Sequence, residues 1–143
     1  MIRLFTPEEA AYLRWSAKVN RLIQGIILAE TILFPLLLSL SGRQLPPYLL
    51  LFLITVLILG NGLALALFRR RREKMLEDLQ GGRVAILSGP LEAKRGRRIR
   101  IRGQVFPVAH AWIWQKLKPG ETVTVEYAPN SKIVLRINDH RQF

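Results

Sequence analysis

Glu30 is the one ionisable side chain in the apolar stretch Leu22–Leu40. An acid that far inside an apolar helix asks for a dedicated partner or a role. A second polar group, Asn61, interrupts the stretch Tyr48–Phe68, which carries no charge. Glu30 lies nine residues beyond Arg21 and Asn61 eight before Arg69. At helical rise both sit about 12–14 Å deep. A protonated Glu30 is therefore expected to hydrogen-bond the Asn61 amide across a helix pair. Small residues recur at helical spacing around this point: Gly25/Ala29 on the first stretch, Gly60/Ala64 and Gly62/Ala66 on the second. They are expected to let the backbones approach closely. The competing uses of Glu30 are a contact to another membrane subunit, and ion or proton handling. A single hairpin encloses no cavity, which argues against transport by one copy.

Other chemistry finds little material. With no cysteine, disulfides, thiolate metal sites and cysteine nucleophiles are excluded. His110 and His140 fall outside the apolar stretches, so neither can ligate a haem within a membrane. There is no phosphate-binding loop, no dinucleotide fingerprint and no metal-ligand spacing, and Gly81-Gly82 reads as a helix stop. No catalytic residue, cofactor or metal is expected.

The charge is informative. Of the formal net charge of +12, residues 1–68 hold five Lys/Arg against three Asp/Glu, and residues 69–143 hold 17 against seven. Arg69, Arg70, Arg71 and Arg72 follow the second stretch directly, and Lys94, Arg95, Arg97 and Arg98 make a cationic hairpin tip. Beyond the tip, Arg98, Arg100 and Arg102 alternate with Ile99 and Ile101, as a strand with one face in a core requires. This surface is expected to meet anionic headgroups or a partner subunit. Trp114, two positions from Trp112, cannot share its face and is expected on the same surface, with Trp112 in the core.

These groups need elements to position them. Leu22–Leu40 and Tyr48–Phe68 are each long enough to cross a bilayer as a helix. The linker Ser41–Pro47 is short, with Gly42 to end one helix and Pro46-Pro47 to start the next. Nine basic residues flank the outer ends of the hairpin (Arg3, Arg14, Lys18, Arg21, Arg69 to Arg72 and Lys74) and only Arg43 lies in the linker. The positive-inside rule then puts both termini in the cytoplasm, at a cytoplasmic membrane. Upstream, Thr6-Pro7-Glu8-Glu9 has the form of a helix start with a capping box. Residues 1–21 read either as an amphipathic lead-in, with Tyr12, Trp15, Val19, Leu22 and Ile26 on one face, or as an early start of one long helix. Residues 69–80 extend the second helix.

Residues 81–143 read as strands at Arg83–Ser88, Arg97–Arg102 and Gln104–Val108, a short helix over Ala109–Leu117, and strands at Thr122–Tyr127 and Ile133–Ile137. The fold class is α+β: a two-helix transmembrane hairpin followed by a small β-barrel, OB-like or SH3-like. Its expected core is Val84, Ile86, Ile99, Ile101, Val105, Trp112, Leu117, Val123, Val125, Val134 and Leu135.

Three segments carry a resemblance: Gly103-x-x-Phe106-x-Val108, Trp114-x-x-Leu117-x-x-Gly120-Glu121, and Val125 to Lys132 continued by Val134-Leu135. They resemble a domain of uncharacterised bacterial two-span membrane proteins over residues 80–137, which implies no activity. The layout is similar to NfeD-like proteins, whose spans precede an OB-fold that supports other membrane proteins, although their glycine-proline pattern is missing. The expectation is a non-catalytic accessory or scaffold subunit of a bacterial membrane complex. Its partners would be anionic lipid and other subunits or further copies of itself. The alternative is a membrane-tethered module for single-stranded nucleic acid, a partner that the scarcity of free aromatics disfavours.

Overall fold

A computed structural model describes residues 1–41 and 46–143. Gly42 and Arg43, on which the helix stop and the linker charge rest, lie outside the described residues. The chain divides into two compact units: Trp15–Glu73, and Met1–Arg14 together with Lys74–Phe143. The first 14 residues thus group with the C-terminal part of the chain.

Two helices, α1 (Pro7–Leu40) and α2 (Pro47–Gly81), supply the secondary structure of the Trp15–Glu73 unit among the described residues. α1 is a single helix through Arg21 into the apolar stretch, since no glycine or proline stands between Pro7 and Gly25 to stop it. Its buried positions are Glu9, Leu13, Ala17 and Asn20, one stripe at helical spacing, whereas Trp15 is 61% exposed. Trp15 and Leu22, on the face expected of an amphipathic lead-in, are left uncovered by the rest of the chain. Both helices contain a stretch long and apolar enough to cross a membrane, and none of either stretch is buried by the rest of the chain. A core hairpin of a soluble protein would be covered.

The other unit is built on an antiparallel sheet. Its strands are β1 (Ile2–Leu4), β2 (Arg83–Arg95), β3 (Arg98–Ile101), β4 (Gln104–Pro107), β5 (Thr122–Tyr127), β6 (Val134–Ile137) and β7 (His140–Arg141). A short helix, α3 (Ala111–Lys116), lies between β4 and β5. The order is β4-β3-β2-β5-β6-β7, with β1 paired to the start of β2. β2 serves two ladders: Ala85–Pro90 pairs with β5, and Leu91–Arg95 pairs with β3. A register shift between Leu91 and Ala93 marks the change, beside Pro90, which has no N–H to give a ladder. Closure into the expected barrel is not shown: among the described residues no pairing joins β4 to β7 or β1. The ends are poor edges for closure, β7 having two residues and β4 ending on Pro107.

Three two-residue turns set the strand parity. Gly96-Arg97, Arg102-Gly103 and Asn138-Asp139 all have positive φ, between 46° and 74°. These are the mirror-image turns that match the twist of paired strands. Because Arg102-Gly103 occupies two residues, Ile99 faces Phe106 and Arg100 faces Val105. Phe106 therefore enters the core, 1% exposed, and Val105 points out, 53% exposed, the reverse of the expected placement. The core also takes Leu91, Val108, Ile113, Tyr127 and Ile137, which had not been expected there. In α3, Ile113 and Leu117 are the buried pair at i, i+4. Trp112 is pushed out and Trp114 packs against the core. The two tryptophans do part company, but in the opposite sense to that expected.

Asp78, near the end of α2, fixes the β5–β6 connection. Its carboxylate is buried and accepts the backbone N–H groups of Asn130 and Ser131 at 2.8 and 2.7 Å, while its own carbonyl takes the Gly82 N–H at 2.9 Å. Asp78→Ala would leave two amides without an acceptor, each costing about 1–3 kcal/mol if it stays dry. Denaturant melts of the full chain in detergent should show a loss of that order. An unchanged midpoint would remove the staple.

Candidate functional site

Polar groups gather in three places. The first is a four-charge network. Thr6 and Glu9 form the expected capping box: the Thr6 N–H donates to Glu9 Oε2 at 2.9 Å and the Glu9 N–H to Thr6 Oγ1 at 3.3 Å. Glu9 does more than cap. Arg3, the inward residue of β1, donates to both of its oxygens at 2.7 and 2.5 Å, and to Glu126 of β5 through Nε at 3.0 Å and through Nη2. Arg136 of β6 completes the set, its Nε 3.5 Å from Glu9 and 3.9 Å from Glu126. The Glu9 side chain is fully enclosed, that of Glu126 15% exposed and those of both arginines 26%.

Burial alone would raise the Glu9 carboxyl, but the hydrogen bonds from Arg3 and Thr6 outweigh it and hold it below the ordinary value. The same bond to Glu9 leads in raising the Arg3 guanidinium above its own ordinary value. A general acid or base needs a pKa near neutrality and access to substrate. Glu9 has neither, so its role is structural. The sequence signals for Arg3 and Glu126 are slight: each is the charged residue in an otherwise alternating strand.

The second place is between the helices. Asn61 Nδ2 donates to Thr31 Oγ1 at 2.7 Å, and that hydroxyl donates to the Ile27 carbonyl at 2.7 Å. The expected Glu30–Asn61 bond is not made: Thr31 takes the amide, and Glu30 is exposed. One residue turns a helix by 100°, so two neighbours at the same depth cannot both face the partner. Gly25, Gly60 and Gly62 likewise have nothing within 4 Å of where a Cβ would stand, and Ala29 and Ala66 are exposed, with only Ala64 half-buried. The small residues mostly line outward faces and do not form the contact between α1 and α2.

The third place is the arginine-rich surface. Arg69 pairs with Glu73 at 3.0 Å, Arg70 and Arg71 are exposed, and Arg72 is half-buried. Lys94 is taken up by the fold, donating to the Leu117 carbonyl at 2.9 Å and lying 4.1 Å over the Trp114 ring. Neither Lys94 nor Trp114 is the free surface group expected. Arg102 leaves the row of Arg98 and Arg100 because β3 ends at Ile101; it lies over Gly89, where a Cβ would meet it at 3.1 Å. Arg95, Arg97, Arg98 and Arg100 remain exposed, and none of them makes an ion pair among the described residues. An unexpected aromatic cluster stands apart: Trp112, 46% exposed, has the His140 ring at 5.0 Å, the His110 ring at 6.3 Å and Lys116 Nζ at 5.1 Å.

Two predictions arise here. Glu9 ionises more readily folded than unfolded, so its contribution is complete above the ordinary carboxylate range and fades as pH falls through its lowered value. Glu9→Gln should cost about 3 kcal/mol at neutral pH, the low end for breaking a buried pair since Glu126 survives, and should flatten the acid limb of a stability–pH profile. A variant with the wild-type acid limb would refute this. Between the helices, Asn61→Leu should weaken the pair by about 1 kcal/mol, seen as earlier melting in detergent, while Glu30→Leu should melt like wild type.

Comparison with protein-family models, with curated proteins and with solved structures finds no match for this chain.

Proposed function

We propose that the chain is a non-catalytic accessory or scaffold subunit of a larger membrane assembly. In this reading two spans hold it in a cytoplasmic membrane, with both termini and a small barrel-like β-unit on the cytoplasmic side. The observation that carries the proposal is the outward position of Glu30 on an uncovered apolar helix. In hydrocarbon an exposed carboxyl costs a few kcal/mol even when the helix can insert. Asn61, the polar group at matching depth, is already bonded to Thr31. No bond joins Glu30 to Asn61, and in this reading the partner of Glu30 comes from outside the hairpin, as another subunit or a second copy. The nine-to-one basic asymmetry supports the orientation. The internally neutralised Glu9–Arg3–Glu126–Arg136 set supports a framework reading for the carboxylates of the β-unit, in preference to a catalytic one.

Gentle-detergent affinity recovery of the full chain with mass spectrometry tests the proposal. A stoichiometric membrane partner or a second copy is expected. Glu30→Leu should reduce that recovery roughly five- to thirtyfold, as loss of about 1–2 kcal/mol of intramembrane hydrogen bonding implies, and Glu30→Gln should retain most of it. A chain recovered alone as a monomer would overturn the subunit reading.

A further inference from the structure

The unpaired arginines are arranged around a groove. Ala93, Arg100 and Val105 stand directly opposite one another across β2, β3 and β4, and Arg95 and Arg98 form the next rung. These five residues line an open depression of about 490 Å³. Cross-strand like charges repel, and Arg95 faces Arg98 with Arg100 two residues along the same strand face. No carboxylate lines the groove. The one acid close by in sequence, Glu92, is turned to the Gly103 N–H at 3.1 Å. Arg3, Arg69, Arg136 and Arg141 each have a carboxylate within 4 Å, and what sets the groove apart from the other unpaired arginines, such as Arg70 and Arg71, is that its members face one another across neighbouring strands. The groove is thus a set of three guanidinium groups, geometrically suited to phosphate oxygens, beside an apolar floor supplied by Ala93 and the exposed Val105.

We infer that this groove binds the phosphate-bearing headgroup of an anionic phospholipid. The charge asks for an anion, and the Val105 side favours one that carries apolar matter with it. The same chain contains two helices apolar enough to lie in a bilayer, which keeps such lipids at high local concentration. Single-stranded nucleic acid is the disfavoured occupant. Its sequence-tolerant binding relies on aromatic platforms, but no aromatic lines the groove and Phe106 of β4 is buried. The inference adds a lipid ligand to the proposed scaffold and rests on that reading only for the presence of a bilayer.

The test titrates the full chain, in a neutral detergent, with dihexanoyl-phosphatidylglycerol by calorimetry. The parallel probes are dihexanoyl-phosphatidylcholine, glycerol 3-phosphate and a thymidylate 15-mer, and phenylglyoxal protection maps the site. The double variant Arg98→Gln/Arg100→Gln should bind phosphatidylglycerol roughly ten- to thirtyfold more weakly. Arg83→Gln/Lys118→Gln removes the same charge elsewhere and should stay within about twofold. Arg98 and Arg100 should be protected by phosphatidylglycerol and not by phosphatidylcholine. Equal losses in the two variants, equal binding of glycerol 3-phosphate, or tighter binding of the oligonucleotide at the same arginines would each overturn the inference. Recovery of a membrane partner by the groove variant would leave the subunit proposal standing even then.

Discussion

Glu9 is fully enclosed and held ionised, and that constraint ties the start of the chain to β5 and β6, with Arg3 and Glu126 lying 123 positions apart. Its oxygens take two bonds from Arg3 of β1, one from the Thr6 N–H at the start of α1, and the approach of Arg136 from β6, while Glu126 of β5 shares the arginines. A buried ion pair gives little stability over an apolar isostere, yet losing one partner is severe. What such a set supplies is position. Arg3 must point inward, so in a three-residue strand Ile2 and Leu4 must point outward, and they are 67% and 74% exposed. The capping box could form in any helix. With Arg3 and Arg136 present, it fixes where α1 begins against the sheet.

The same bookkeeping sorts the excess of basic residues. Cations that the fold consumes have an acid or a carbonyl within reach: Arg3, Arg136, Arg69, Arg141 and Lys94. Those on the outer face of β2 and β3 do not, and they stand opposite one another. A net charge of +12 is therefore a poor description of the surface. Part of it is internal, part follows the second apolar stretch at Arg70 and Arg71, and part is gathered on one sheet face with no acid in its groove.

Much of the β-unit was legible. The turns at Gly96-Arg97 and the 128–133 connection, the alternation of β5, and the inward Ile99 and Ile101 are local patterns, and local patterns suffice for them. β1 was not legible because its meaning is remote: Ile2–Leu4 pairs with Arg83–Ala85, and Arg3 meets Glu126 across 123 positions. Val105 and Phe106 were exchanged for a subtler reason. Both residues suit a strand, and only the two-residue length of the Arg102-Gly103 turn decides which faces the core. In α3, Trp112 and Trp114 are similarly ambiguous until Ile113 and Leu117 claim the inner face.

The helix pair shows how far a depth argument reaches. Rise per residue places Glu30 and Asn61 at one level, and the structure does put the polar contact at that level. Depth says nothing about azimuth, however, and the neighbouring Thr31 is the residue that faces Asn61. The hydroxyl suits the site better than a carboxyl would. It donates to the Ile27 carbonyl within its own helix and still accepts from the amide, so no charge or uptake of a proton is needed. Pro35, four residues on, has no N–H to give the Thr31 carbonyl the usual α-helical bond. A helix pair satisfied by Thr31 and Asn61 has no use for Glu30. An acid at that depth, exposed and without a bond inside the helix pair, is the feature that the proposed contact to another subunit or copy would use.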